Sequence, residues 1–163
     1  MLYLCQKTEN FQGMSKTKIF YADDDLDDIE IFVEAAGRMA ETGMAQIDVQ
    51  VFQDGQSLLT ALKEARDQDI VIFLDINMPG KNGFQILKEI RNDENLGSAP
   101  VIMYSTSSDA NTVKTSRETG ASAYVVKPSD FNVLTGILKK VSVINWHTHT
   151  PDAKNFVLGY KSA

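Results

Sequence analysis

Three carboxylates, one ammonium and two hydroxyls each follow directly on a short apolar run. Asp23 and Asp24 follow Ile19-Phe20-Tyr21-Ala22, and Asp75 follows Ile70-Val71-Ile72-Phe73-Leu74. Ser105 and Thr106 follow Val101-Ile102-Met103-Tyr104, and Lys127 follows Ala123-Tyr124-Val125-Val126. As parallel strands of one sheet, these runs deliver all of those side chains to a single edge. Carboxylates so gathered repel one another: two unit charges ~4 Å apart interact by about 4 kcal/mol at an effective dielectric of about 20. The group must take up a proton, a cation or both. Its ligand atoms are hard oxygens without sulfur, which favours Mg²⁺, an ion that takes one or two carboxylates and leaves room for phosphate oxygens. A divalent ion keeps Asp75 ionised and nucleophilic, and Lys127 adds a second positive charge opposite it. Two cations facing a free carboxylate suit attack on phosphorus, where catalysis is mostly positioning and charge neutralisation.

The pattern between these residues predicts the sheet that positions them. Ile29, Phe32, Val33, Ala36, Met39 and Ala40 recur at helical spacing after the first strand, and Gly43 closes that helix. Ile47-Asp48-Val49-Gln50-Val51 alternates like a strand with one wet face, an edge strand. Asp54-Gly55 marks a turn and cap before a helix carrying Leu58, Leu59, Leu62 and Ala65. Ile70 to Leu74 is unbroken and β-branched, the look of a central strand buried on both faces. Asn82 caps a third helix carrying Phe84, Leu87 and Ile90. Asp109 to Thr119 forms a fourth, ending at Gly120, with a thin apolar face of Ala110 and Val113. Ser129 is placed to cap the last helix, with Leu134, Ile137, Leu138, Val141 and Ile144 on one side. Five strands alternating with five helices give an α/β fold, a doubly wound parallel sheet in a three-layer sandwich. Its site lies at the carboxyl ends of the strands, beside the switch point. The expected organisation is an extension over 1–15, one domain over 16–145 and a tail over 146–163.

The 163-residue length and ordinary composition fit one domain with a real core. A net charge of −6 argues against nucleic-acid backbone binding, which needs a basic surface. The single cysteine, Cys5, excludes an internal disulfide and a cysteine-cluster zinc site, and fits a reducing, cytoplasmic setting. No apolar run approaches the ~18 residues of a membrane helix. Residues 1–13 lack the features of a signal peptide, and Met14 is read as the natural start.

Four stretches together resemble the receiver domain of two-component response regulators. They are Ile19 to Asp25, Leu74-Asp75-Ile76-Asn77-Met78-Pro79-Gly80-Lys81-Asn82-Gly83, Pro100 to Thr106, and Gly120 to Pro128. Order and spacing match from about Lys18 to Val143. The resemblance implies a flavodoxin-like, chemotaxis-receiver strand order of 2-1-3-4-5. It implies that Asp75 is the phospho-acceptor, and that Asp24, Asp75 and the backbone carbonyl of Asn77 bind Mg²⁺, with Asp23 helping directly or through water. Lys127 would contact the phosphoryl group. Ser105 would bond a phosphoryl oxygen and draw its loop inward, and Tyr124 would follow that movement. Ser105 stands where Thr is commoner, Ala22 replaces a larger apolar residue, and Asn77 and Ser107 occupy positions that tune phosphoryl lifetime. The implied partners are a sensor histidine kinase or phosphotransfer protein and an unidentified output protein, with no direct nucleic acid or membrane contact. The Gly37 to Ile47 connection and the extended tail, with Trp146, Phe156, Val157, Leu158 and Tyr160, resemble those of single-domain receivers serving phytochrome-type or hybrid sensor kinases. It is expected to cover the core or to mediate a homodimer.

Plainer readings hold for some residues. Asp27 and Asp28 read as an acidic helix start favoured by the macrodipole. Thr106 reads as a turn hydroxyl, His147 and His149 lack a third metal ligand, and Cys5 is incidental. An aspartyl-phosphate phosphatase on the same site would carry a second acid two residues after the nucleophile, where this chain has Asn77. A flavin-binding module would need a phosphate-cradling loop after the first strand, where Asp23-Asp24-Asp25 repels phosphate. The expected activity is that of a phosphorylated switch, alone or as a relay intermediate, rather than an enzyme acting on a separate substrate.

Overall fold

A computed structural model describes residues 16–65 and 68–159. Within them run β1 (Thr17–Ala22), α1 (Leu26–Glu41), β2 (Ile47–Phe52), α2 (Gly55–Glu64) and β3 (Ile70–Asp75). There follow α3 (Gly83–Asn92), β4 (Val101–Ser105), α4 (Ala110–Thr119), β5 (Ala123–Val126) and α5 (Phe131–Val143). The strands form one sheet in the order β2-β1-β3-β4-β5, and each neighbouring pair is parallel. The wet strand β2 is indeed an edge, and β3, buried at every position, lies in the centre.

Strand residues alternate between the two faces. Ile19, Tyr21, Val71, Phe73, Ile102 and Tyr104 join Phe32, Ala35, Ala36 and Met39 of α1 and Leu134, Ile137, Leu138 and Val141 of α5. Phe20, Ala22, Ile72, Leu74 and Met103 join Leu58, Leu59 and Leu62 of α2 and Ile86, Leu87 and Ile90 of α3. Two details differ from the periodicity. Val33 and Ala40 of α1 face solvent and Ala35 is buried instead, and Ile86 carries more of α3 than Phe84. In each case a helix turns its smaller or better-aligned side chain to the sheet, which residue type alone does not encode.

Polar caps fix where the helices begin. Asp25, Asp54, Asn82 and Asp109 cap α1 to α4, and Asn82 forms a reciprocal capping box with Gln85. The cap of α5 is Asp130, not Ser129 as expected, because the Asp130 carboxylate accepts the free N–H groups of Asn132 and Val133. Gly120 ends α4 at φ 105°, a left-handed conformation that a side chain resists. As expected, α4 is thinly held: Ser116 is its only buried residue.

The segment after α5 folds back on the domain. The Trp146 indole N–H donates to the Val141 carbonyl at 3.1 Å. Phe156 is 2 % exposed, and Val157 forms an isolated parallel bridge with Tyr124 of β5. The tail therefore covers part of the core, one of the two expected outcomes. Cys5, Met14 and the rest of the 1–15 extension, and Tyr160, lie outside the described residues. Among the described residues, no helix is long and apolar enough to cross a membrane.

Candidate functional site

The central pair β1–β3 builds the acidic group. Ala22 is in register with Leu74, so the residues that follow, Asp23 and Asp75, emerge side by side. Asp23, Asp24 and Asp75 each place a carboxylate oxygen within 4.8 Å of the others. Among the described residues this is the only such group of three His, Cys, Asp or Glu side chains. Asp23 is fully buried, Asp75 is 5 % exposed and Asp24 opens to solvent. Asp23 is tied on all sides: one oxygen accepts the Tyr21 hydroxyl at 2.6 Å and Lys127 Nζ at 2.7 Å, the other the Asp25 N–H at 3.0 Å.

Lys127 arrives from β5. Its N–H donates to the Ser105 carbonyl at 2.8 Å, continuing the β4–β5 ladder, and the following proline restricts it to extended backbone. Its Nζ then lies 2.7 Å from Asp23, 2.8 Å from Asp28 and 3.4 Å from Asp75. The Tyr104 ring lies beneath, its centroid 5.4 Å from Nζ.

Burial pushes the Asp75 carboxyl up from the ordinary 3.8 to about 6; Lys127 opposes the rise, while Asp23 and Asp24 add to it. Burial works against the Lys127 charge, but hydrogen bonds to Asp23 and Asp28 and the field of Asp75 outweigh it, so its pKa is raised. Burial raises Tyr21 strongly, helped by its bond to Asp23, so it is a fixed hydrogen-bond donor. The expected repulsion is thus met by the Lys127 ammonium, which faces Asp23 and Asp75 of the group and Asp28 beside it, and by a raised affinity of Asp75 for protons. Three hard-oxygen groups, one open to solvent, fit the donor set of a magnesium-type ion.

On the other side of Asp75, Ser105 ends β4 and is 1 % exposed. Its hydroxyl oxygen accepts the Ser107 N–H at 3.2 Å. The Tyr124 ring is fully buried, and its hydroxyl donates to the Ser107 carbonyl at 2.7 Å. Ser105 and Tyr124 thus hold one loop residue, Ser107, by its N–H and its carbonyl. Thr106 is exposed, in keeping with its plainer reading, and Asn77 is an exposed residue two positions after Asp75.

The structure brings Asp23, Asp24, Asp75, Lys127 and Ser105 to one edge, with Tyr124 behind Ser107. It also corrects one reading. Asp28 is no mere acidic start; it is a direct partner of Lys127. No local signal marks that role, because an acid in the first turn of α1 is favoured by the helix dipole with or without a lysine partner. Gly83 was also missed. A methyl group there would overlap the Asp75 carbonyl oxygen and lie 2.9 Å from Ile76 Cα. Its N–H donates to the Ile76 carbonyl at 2.8 Å, so the start of α3 packs directly on the backbone of the acceptor position.

The histidines play no part. His147 Nε2 lies 3.2 Å from an Asp69 carboxylate oxygen, and a His149 ring nitrogen lies 3.2 Å from the Ser122 carbonyl oxygen, both away from Asp23, Asp24 and Asp75. A cavity of about 470 Å³ opens among Lys18, Ile70, Pro100 and Trp146, at the amino edge of the sheet. No carboxylate cluster faces it, and the acidic group needs no deep cavity to meet a phosphoryl group presented from solvent.

Comparison with known proteins agrees with this geometry. The family model of the response regulator receiver domain matches residues 26–139, most of the chain. Chemotaxis protein CheY-3 of Vibrio cholerae is 35 % identical over 94 residues, which are 58 % of this chain and 71 % of that protein. The crystal structure of a response regulator receiver domain from Rhodospirillum rubrum superposes with a TM-score of 0.70 at 24 % identity, covering 79 % of this chain and 96 % of that one. The phosphorylated cyanobacterial phytochrome response regulator RcpA gives 0.67 at 26 % identity, covering 84 % and 98 %. With five parallel strands in this order and the acidic group at their carboxyl edge, the chain belongs to the response regulator receiver domain family.

Proposed function

We propose that this receiver domain, spanning 16–145, takes a phosphoryl group onto Asp75 from a phosphohistidine of a histidine kinase or phosphotransfer protein. An Asp75 carboxylate oxygen attacks phosphorus, the bond from phosphorus to the donor imidazole breaks, and the imidazole leaves with that electron pair and is protonated from solvent. The acyl phosphate later hydrolyses. Asp24, Asp75 and the Asn77 carbonyl would hold Mg²⁺; Asp23, whose oxygens already carry three hydrogen bonds, would act through water. That ion supplies positive charge to the phosphoryl oxygens. Lys127 supplies a second positive charge, and Ser105 offers its hydroxyl to a phosphoryl oxygen. Donating its proton to that oxygen re-aims the Ser105 hydroxyl, which also accepts the Ser107 N–H, and so biases the loop that Tyr124 also holds.

The observation that carries this reading is the 3.4 Å approach of Lys127 Nζ to Asp75 within a three-carboxylate group. The domain then acts as a phosphorylated switch or relay intermediate in the cytoplasm and signals to a protein partner. Asn77 stands where a phosphatase would carry its general acid, so turnover of phosphate esters is not expected. Acetyl phosphate with Mg²⁺ should add one phosphoryl mass to the wild-type chain and none to Asp75→Asn. Equal labelling of both refutes Asp75 as acceptor.

A further inference from the structure

We propose that Tyr21 is a positioning residue for phosphoryl transfer: its hydroxyl keeps the buried Asp23 carboxylate paired while Lys127 is drawn from Asp23 toward the phosphoryl group arriving on Asp75. This rests on the phospho-acceptor reading above. Side chains two apart on a strand leave the same face. Tyr21 of β1 therefore shares a face with Asp23 at the strand end, and its hydroxyl donates to Asp23 Oδ2 at 2.6 Å. Both residues are fully buried. The ring is held in place by its neighbours: Phe32 packs on it with centroids 4.3 Å apart, and Tyr104 meets it edgewise at 5.6 Å. Among the described residues, Asp23 is the only hydrogen-bond partner of the hydroxyl.

A carboxylate has about four lone-pair positions, and those of Asp23 are nearly filled. Oδ2 accepts Tyr21 and, at 2.7 Å, Lys127 Nζ; Oδ1 accepts the Asp25 N–H at 3.0 Å. The remaining position, on Oδ1, is open to a water of the metal ion. Two donors on one oxygen divide its charge, so Asp23 grips Lys127 less firmly than it would without Tyr21.

Burial separates the two carboxylates that hold Lys127 most closely. Asp28 has a third of its side chain in solvent, so water can replace the ammonium there. The Asp23 side chain has none, and a buried carboxylate that loses its partner carries a large desolvation penalty. Tyr21 does for Asp23 what water does for Asp28. It is fixed in β1, between β2 and β3, and stays in place as Lys127 moves.

The test compares the full wild-type chain with Tyr21→Phe, which keeps the ring and removes the hydroxyl, using acetyl phosphate and Mg²⁺ as probes. At saturating Mg²⁺ and fixed acetyl phosphate, the rate of Asp75 labelling is expected to fall roughly tenfold or more, the scale of one hydrogen bond to a charged group. The Mg²⁺ concentration giving half the maximal rate should change less than about twofold, since Asp24, Asp75 and the Asn77 carbonyl are untouched. An unchanged maximal rate overturns the proposal. So does a loss that appears only as a higher Mg²⁺ requirement, which would make Tyr21 a support for the shape of the metal site. Wild type that gains no phosphoryl mass overturns the acceptor reading and the proposal with it, whereas equal rates in two labelled proteins overturn the role of Tyr21 alone. Proton NMR of wild type decides the matter should Tyr21→Phe unfold. A buried phenol donating to a carboxylate at 2.6 Å should give a slowly exchanging, downfield hydroxyl resonance. That resonance is expected to persist and move further downfield once mass shows Asp75 to be labelled, because Tyr21 then meets more of the Asp23 charge. Its absence from wild type, or its loss on labelling, overturns the proposal.

Discussion

Lys127 Nζ lies closer to Asp28, at 2.8 Å, than to Asp75, at 3.4 Å. An ammonium has three protons to donate, and Asp23, Asp28 and Asp75 face all of them. A phosphoryl group arriving on Asp75 must draw Lys127 toward itself, and Asp28, one-third exposed, is the carboxylate able to turn to water. Asp28 therefore acts as a counterweight that holds Lys127 in readiness. Asp28→Asn weakens a charge-assisted bond worth about 1–2 kcal/mol. Labelling of Asp75 by acetyl phosphate should speed up by roughly threefold to tenfold, as a barrier change of about 1 kcal/mol gives. Slower labelling would instead make Asp28 a support that aims Lys127.

Asp75 predicts a pH dependence of stability in metal-free protein. Its folded value of about 6 exceeds the ordinary 3.8, so between these values the folded chain holds a proton that the unfolded chain has released. The group's contribution is fully present below the ordinary value and is lost as pH rises through about 6. At neutral pH the ionised, crowded carboxylate then costs up to about 3 kcal/mol. Asp75→Asn should be more stable than wild type to urea at pH 7, with the gap closing below about pH 4. Mg²⁺ should stabilise wild type and have much less effect on Asp75→Asn. A gap that stays constant across this range would show that Asp75 carries no such strain.

Gly83 makes a sharper structural claim, because it joins the start of α3 to the backbone of the acceptor. Gly83→Ala places a methyl group against the Asp75 carbonyl oxygen and the Ile76 Cα, which are backbone atoms and cannot rotate aside. The clash must move α3 or the end of β3, at a cost of about 1–3 kcal/mol. Thermal unfolding should report that loss, and the rate of Asp75 labelling should fall more than for a change of equal cost elsewhere in the core. A neutral substitution would mean that α3 shifts freely against the strand.

What could be read in the sequence follows from how local each signal is. Strand β3 announces itself because five apolar residues end at an acid, and Asp54, Asn82 and Asp109 announce helix starts because capping acts within three residues. The carboxyl-edge group was legible because parallel connections bring every strand end to one side. Asp28 was not, because an acid in a first turn satisfies the macrodipole whether or not a lysine from β5, 99 positions away, reaches it. Ser129 and Asp130 are both good caps, and only the backbone course after β5 selects between them. The pairing of Phe156 and Leu158 with Tyr124 depends on a strand edge that no local pattern marks.

Tyr124 offers the last test, since its ring and its hydroxyl do separate things. The ring is buried core, and the hydroxyl donates at 2.7 Å to the Ser107 carbonyl. Tyr124→Phe keeps the ring and removes one hydrogen bond, so stability should fall by only about 0.5–1.5 kcal/mol. Labelling of Asp75 should continue, because Asp24, Lys127 and Ser105 remain in place. What should be lost is the linkage between the β4–α4 loop and the tail that pairs with the Tyr124 backbone. In wild type, hydrogen exchange at Ser107, whose N–H is held by Ser105, should change on phosphorylation. In Tyr124→Phe that amide should still respond, but the exchange at Leu158, which bonds the Tyr124 carbonyl, should no longer follow it. If both amides respond together in the variant, the signal runs through the strand backbone and the hydroxyl serves only to anchor the loop.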